Sequence, residues 1–195
     1  MKIIGLTGDV GAGKSTLCRE WEKLGAHIID ADAAARALWD APDVRTEAEV
    51  RWGKSFFDAP RTEMYRRIAD KIFTSAEEYA FAQKLIHERT IAAIKDEAKR
   101  CGGIVIAEIP LMYEGGHDRW IDRIIFAAAP FDKRVARNAK RNWNADEVAR
   151  REAKLLPSEE KKRRAWLVLT NDGTEEEWKE KARTAWTKIC AEAEL

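Results

Sequence analysis

The chain has 195 residues, a formal net charge of +1, and a composition that is 45% hydrophobic and 35% charged, as expected of a soluble globular chain with one compact domain or a core carrying insertions. No apolar run approaches the ~18 residues of a membrane span, and Met1-Lys2-Ile3 leads directly into a strand, so no membrane segment or targeting peptide is expected and a cytoplasmic location follows. Cys18, Cys101 and Cys190 are too scattered for a disulfide framework or a metal-ligand spacing, and no basic tail or repeat points to nucleic acid.

The first apolar run, Ile3-Ile4-Gly5-Leu6, predicts a strand, and Gly8-Asp9-Val10-Gly11-Ala12-Gly13-Lys14-Ser15 then fits the phosphate loop G-x-x-x-x-G-K-[ST]. Leu17, Trp21 and Leu24 follow at helical spacing. Strand, glycine loop and helix in that order are the setting the motif requires. A chance glycine-rich turn would not be framed in this way. Glycines at 8, 11 and 13 let successive backbone N–H groups turn inward, where the positive end of the helix also points, and a polyphosphate fits there. Lys14 is placed to reach the β- and γ-phosphates and the Ser15 hydroxyl to ligate Mg²⁺. The ATP-binding stretch is therefore Gly8, Gly11, Ala12, Gly13, Lys14, Ser15 and Thr16.

A second short strand over Ala26–Ile29 ends in Asp30-Ala31-Asp32 and runs into a helix through Trp39. Ligands of open α/β sheets sit outside the carboxyl ends of strands, so one of these acids is expected to cap the helix and the other, Asp32, to face the site. Residues 44–60 carry little periodicity; Trp52 to Phe57 close a helix and Pro60 marks a boundary. Met64, Ile68, Ile72 and Phe73 form one helical stripe, and Tyr79, Leu85, Ile86, Ile91 and Ile94 carry a further helix towards Lys99. This helical insertion of about 40 residues is longer than an ordinary crossover and is expected to form an acceptor pocket. His87 lies on it, either as a packed or exposed histidine or as a substrate contact.

After Gly102-Gly103, Ile104–Ala107 predicts a buried parallel strand ending in Glu108, an acid placed to hold Mg²⁺ through water. Pro110-Leu111-Met112-Tyr113-Glu114 precedes a candidate glycine hinge, and Ile121–Ala129 is a fourth strand. Residues 133–164 hold twelve Lys/Arg against five Asp/Glu, a surplus of seven positive charges in a chain whose total is +1. Beside a phosphate loop, such a segment suggests a surface facing polyphosphate, although most of these cations would serve equally as solvated helix faces. Lys133, Arg134, Arg137, Lys140 and Arg141 are expected on one helix, with Arg134, Arg137 and Arg141 on one face. Further helices cover Asp146–Leu155 and the stretch after Pro157. Trp166–Leu169 is the last strand, and Thr174-Glu175-Glu176-Glu177 forms a capping box for a final helix that buries Trp178, Ala182, Ala185, Trp186 and Ile189. The eight tryptophans are assigned mainly to the core.

Five short strands alternating with helices predict a three-layer α/β fold with a parallel sheet. No N-K-x-D base-reading motif is present, which disfavours a GTPase. The expectation is a small phosphotransferase with a helical acceptor region and an arginine-bearing lid. Kinases of nucleoside monophosphates and a non-catalytic nucleotide-binding protein are the alternatives.

Along nearly its whole length the chain resembles the dephospho-CoA kinase family. The resemblance rests on Gly5-Leu6-Thr7-Gly8 with the phosphate loop, Ile29-Asp30-Ala31-Asp32 with Arg36, Arg67 to Phe73, Leu85-Ile86-His87, and Pro110 to Glu114. Arg137, Arg141, Pro157 to Ala165, and Asn171 with Gly173 extend it. It implies an adenylate-kinase-like fold that transfers the ATP γ-phosphoryl group to the ribose 3′-hydroxyl of dephospho-CoA, the last step of coenzyme A synthesis. By the resemblance the core is 1–40, 101–130 and 165–195, the CoA-binding helical insertion 41–100 and the lid 131–164. Asp32 matches the general base, Arg141 the lid arginine, and Arg137 and Asn171 positions near ATP. Asp32, Arg36, His87, Pro110, Leu111 and Glu114 match the substrate side. The chain departs from the family's usual pattern at Asp9 for glycine, Glu88 for the proline after the histidine, Glu108 for aspartate, Asn142 for the aspartate after the lid arginine, and Thr170 for aspartate.

Overall fold

The computed structural model describes residues 2–153 and 155–194. Five parallel strands form one sheet in the order β2-β3-β1-β4-β5: β1 Ile3–Gly8, β2 His27–Asp30, β3 Val105–Glu108, β4 Arg123–Ala128 and β5 Leu167–Thr170. The middle strand is β1, whose residues Ile3 to Thr7 are all buried, which explains its continuous apolar run. At the edge, β5 alternates half-buried and exposed residues. Because all the strands run the same way, their carboxyl ends lie along one edge of the sheet. There Leu6 and Asp30 are both in register with Glu108, and Gly8 with Ala127.

Helix α1, Lys14–Lys23, buries Leu17, Cys18 and Trp21 against the sheet, and the last helix, Glu175–Glu194, lays Trp178, Ala182, Ala185 and Ile189 on the same core. Trp21 Nε1 donates to the carbonyl of Ala182 at 2.8 Å and so ties the two helices together while satisfying its own buried N–H. The expected capping box is present: the Glu177 N–H donates to Thr174 Oγ1 at 3.3 Å, and Glu177 Oε2 accepts the Thr174 N–H at 2.6 Å. Trp21, Trp39 and Trp178 are buried, whereas Trp166 is 37% exposed.

By compactness the chain divides into two units, Met1–Asp30 with Ala98–Leu195, and Ala31–Glu97. The second contains α2 Ala31–Ala37, α3 Pro42–Trp52, α4 Arg61–Ile72 and most of α5 Ala76–Cys101. It has its own core of Trp39, Val44, Ala48, Phe57, Met64, Ile68, Ala82 and Leu85. The poorly periodic stretch 44–60 resolves into α3, closed by Gly53 at φ 82°, and a 3₁₀ turn over Lys54–Phe57. Its order comes from aromatic packing: Trp52 stacks on Trp39 at 5.4 Å and meets Phe81 edge-on at 5.5 Å. Phe73 does not extend the stripe of Met64 and Ile68. Helix α4 ends one residue earlier, and Phe73 is 76% exposed.

The basic segment forms α6 Phe131–Asn138, α7 Ala145–Glu152 and α8 Ser158–Arg164; the final helix is α9. Of the helix expected over Asp146–Leu155, Lys154 lies outside the described residues. The single helix expected to carry Arg134, Arg137 and Arg141 ends at Asn138, and Ala139–Arg141 form a 3₁₀ turn. The Asn138 side chain donates to the Arg134 carbonyl at 2.9 Å, and Asn142 adopts φ 59°, a left-handed stop that asparagine tolerates. Among the described residues, no helix is long and apolar enough to cross a membrane.

Candidate active site

The phosphate loop joins β1 to α1 and is held from behind. Arg137 Nη1 donates to the Gly11 carbonyl at 3.3 Å, Asn171 Nδ2 to that of Ala12 at 2.9 Å, and Trp178 Nε1 to that of Gly13 at 3.1 Å. In a trans peptide the C=O and the next N–H point oppositely, so fixing the carbonyls of Ala12 and Gly13 on one side turns the N–H groups of Gly13 and Lys14 to the other. The loop is thus preorganised as an anion cradle. Gly13 sits at φ 96°, and a Cβ there would lie 2.7 Å from Asn171 Nδ2 and 2.9 Å from Trp178 Nε1. Only glycine permits the supporting groups to approach so closely.

Lys14 arches over the loop, its Nζ donating to the carbonyls of Gly8 at 3.2 Å and Asp9 at 3.3 Å. Burial pulls the pKa of its ammonium below the ordinary lysine value; Glu108 and Asp9 oppose that shift and the charge of Lys161 adds to it. Ser15, next along α1, is exposed. Thr16 Oγ1 accepts from Arg19 at 3.2 Å. Glu108 ends β3 half-buried, and its Oε2 accepts the Cys18 S–H at 3.4 Å. Burial, with the adjacent Glu108 charge, pushes the Cys18 thiol far above its ordinary value, so it stays a neutral donor that orients the carboxylate.

Beyond β3 the chain is pinned to β1: the Ile109 N–H donates to the Leu6 carbonyl at 2.9 Å, and Thr7 Oγ1 donates to that of Pro110 at 3.1 Å. Leu111 is exposed. Glu114 is paired with Lys161 of α8 at 2.5 Å. Of the arginines expected on one face, Arg134 is buried, donating to the Ala129 carbonyl at 2.9 Å and paired with Glu152. Arg137 Nη2 donates to Asn171 Oδ1 at 2.9 Å. Arg141 is exposed, reaching Asn138 Oδ1 at 3.4 Å with its guanidinium 5.4 Å from the centre of the Trp143 ring. The phosphate loop, Glu108, Pro110, Leu111, Glu114, Arg137, Arg141 and Asn171 all belong to the first unit.

Asp32, Arg36 and His87 belong to the second unit. Asp30 ends β2 and immediately precedes α2, whose first turn carries Asp32 and whose last turn carries Arg36; both are exposed. His87 is half-buried on α5. Trp178 carries no sequence signal as a loop anchor, since its helical stripe marks it only as a core residue. The pairing of Lys161 with Glu114 had no signal either, since Lys161 is indistinguishable in sequence from its neighbours Lys162 and Arg163.

A sequence model of a family described as dephospho-CoA kinase matches residues 2–177. The chain is 31% identical to a dephospho-CoA kinase of Corynebacterium diphtheriae over all of both chains. It is 34% identical to one of Deinococcus radiodurans over 87% of this chain and 84% of the other. Among solved structures, a Thermus thermophilus protein superposes with TM-score 0.79 at 29% identity, covering 96% of each chain. A dephospho-CoA kinase of Campylobacter jejuni gives 0.73 at 18% identity over 98% of each, a likeness of fold. A shikimate kinase of Acinetobacter baumannii gives 0.57 at 14% identity over 98% of this chain and 94% of that one, and shares the phosphate-loop kinase architecture. The supported phosphate loop and the match along the chain agree: this protein belongs to the dephospho-CoA kinase family.

Proposed function

We propose that the protein transfers the γ-phosphoryl group of ATP to the ribose 3′-hydroxyl of dephospho-CoA. The observation that carries the reading is the phosphate loop with its three carbonyls tied back and Lys14 arched across it, in a chain of this family. In this reading Gly8 to Thr16 cradle the phosphates, and Lys14 neutralises charge on the group in transit. Arg137 and Asn171 serve ATP chiefly through the loop carbonyls they hold. Asp32 accepts the proton of the attacking hydroxyl, and the planar fork of Arg141 donates to the terminal phosphoryl oxygens as the lid segment 131–164 closes. Arg36, His87, Pro110, Leu111 and Glu114 line or shape the acceptor side.

Mg²⁺ is a hard cation that takes oxygen ligands and keeps much of its water, and the residues fit it. The Ser15 hydroxyl is exposed beside Lys14 on α1, and the Glu108 carboxylate at the end of β3 is oriented by Cys18 of the same helix. Ser15 would ligate the ion and Glu108 would hold one of its waters. When bound, the ion would supply neutralisation of phosphate charge.

The test is ADP release with ATP and Mg²⁺ alone, and then with dephospho-CoA, CMP, AMP or a simple alcohol added. Turnover should need dephospho-CoA. Preference for CMP or AMP would transfer the assignment to a nucleoside monophosphate kinase, and ATP binding with no turnover on any acceptor would leave a nucleotide-binding protein.

A further inference from the structure

Lys161 is a buried cation, its side chain only 7% exposed, an uncommon place for an ammonium group. Its Nζ lies 2.5 Å from Glu114 Oε1, and that same oxygen accepts the N–H of Leu156 at 3.0 Å. Glu114 Oε2 is buried and has no donor among the described residues, and the Ser158 hydroxyl at the start of α8 is also buried without a partner there. A buried ion pair offsets its desolvation only when its remaining hydrogen-bonding capacity is filled. Here one oxygen of the carboxylate has no donor among the described residues. A purely structural pair would be expected to saturate both groups.

Several contacts tie the segments carrying this pair to the end of the strand that leads into the phosphate loop. The chain leading from Glu108 to Glu114 is bonded to Leu6 and Thr7 at the end of β1, immediately before the loop begins. Tyr113 donates its hydroxyl to the Lys161 carbonyl at 3.2 Å and so holds α8 on that same stretch. The charge of Lys161 is felt at Lys14, whose pKa it helps to lower. Like charges repel, and an anion bound at the loop offsets that repulsion.

We infer that Lys161 is a second phosphate-facing cation, held by Glu114 and turned toward the terminal phosphoryl group of the triphosphate that the loop binds. The inference rests on the kinase reading and adds to it a residue that Lys14, Arg137 and Arg141 do not supply. Helix α8 thereby contributes to the chemistry as well as to the lid.

An acyl-phosphate derivative of ATP tests this on the wild-type protein, independently of the acceptor. A lysine amine next to the γ-phosphate attacks the acyl carbon, the bond from that carbon to the phosphate oxygen breaks, ATP departs, and an amide remains as the amine proton passes to solvent. Peptide mapping should find the acyl group on both Lys14 and Lys161, each protected by excess ATP. Label on Lys14 without Lys161 overturns the inference. Label on neither lysine overturns the kinase reading and this inference with it.

A charge-neutral pair then separates phosphate contact from structure. Lys161→Met alone strands a buried carboxylate, so it is combined with Glu114→Gln. The double variant should keep a wild-type Tm while its ATP-over-ADP affinity ratio and its kcat each fall about tenfold or more, the size of one charge-assisted hydrogen bond. Recovery of both quantities with the Tm would make Lys161 no more than the counter-ion of Glu114.

Discussion

At the scale of single residues, Lys14 is already held over the phosphate loop by the carbonyls of Gly8 and Asp9. Its removal should therefore disturb charge rather than packing. Lys14→Ala is expected to abolish phosphoryl transfer while circular dichroism and Tm stay close to wild type; a folded variant with near-normal turnover would refute its role. Asp32 lies in the first turn of α2, exposed and two residues beyond β2. Asp32→Asn should lower kcat about 10²-fold or more with ATP affinity retained, and the companion Asp30→Asn decides between the two acids: a larger loss there would move the base to Asp30. Among the described residues, Arg141 meets Asn138 through a long bond and the face of Trp143. If its fork engages the transition state, Arg141→Lys should reduce kcat and leave the Kd for ATP nearly unchanged. Arg151 also lies over the Trp143 ring, at 3.8 Å, and is a poor control. Arg183→Lys on α9, where the partners are Glu180 and Glu20, is the better comparison, and equal small effects in the two variants would remove Arg141 from the site.

At the scale of elements, α6, the exit of β5 and α9 all converge on the back of the phosphate loop through Arg137, Asn171 and Trp178. Asn171 is the joint of this support, since it donates to the Ala12 carbonyl and accepts from Arg137. Asn171→Ala leaves the Ala12 carbonyl short of a donor in a buried place and removes the side-chain acceptor of Arg137. Such a loss is worth about 1–3 kcal/mol, so weaker ATP binding by calorimetry and a lower Tm are expected together. The contact of α8 with the loop after β3 has a pH signature. Burial raises the Glu114 pKa, but the hydrogen bond from Lys161, two backbone N–H groups and the Lys161 charge outweigh it, and the net pKa lies below the ordinary 4.5. A carboxyl group whose pKa is depressed on folding stabilises the protein above its unfolded value and ceases to do so as the pH falls through its folded value. Wild-type stability should therefore decline below about pH 4.5, and Glu114→Gln should flatten that part of a urea-melt profile.

At the scale of the whole molecule, each unit has a core of its own, one formed by the sheet with α1 and α9, the other by the aromatic cluster around Trp52. Phe57 is 3% exposed, touches Trp52 and Phe56, and lies under the Arg45 guanidinium at 4.3 Å. Phe57→Ala should destabilise the second unit by about 3–5 kcal/mol, as removal of a buried aromatic ring does. With the phosphate loop and its supports in the first unit, Mg²⁺–ADP binding should persist in that variant while turnover with dephospho-CoA falls. Parallel loss of nucleotide binding would show that the two cores do not hold independently.

What the sequence determined by itself is what lies close together along the chain. The phosphate loop between strand and helix, the five apolar strand runs and the capping box at Thr174 all depend on residues within a few positions of one another, where spacing alone reports geometry, and the family resemblance is a series of such short pieces. Two local readings failed where a helix stops short of its pattern: α6 ends at Asn138 and gives way to a 3₁₀ turn before Arg141, and α4 stops before Phe73. Tertiary structure alone decided which polar atoms meet. Trp178 is 165 residues from Gly13, Asn171 is 159 from Ala12, and Arg137 is 126 from Gly11. Nothing in the neighbourhood of either partner announces those bonds. Hydrophobic periodicity shows which face of a helix turns inward, but the pairing of a side-chain donor with one particular carbonyl depends on how distant elements pack. For the same reason Arg134, Arg137, Arg141 and Lys161, alike in a basic stretch of sequence, become a buried strut, a loop clamp, an exposed arginine beside Trp143 and a buried partner of Glu114.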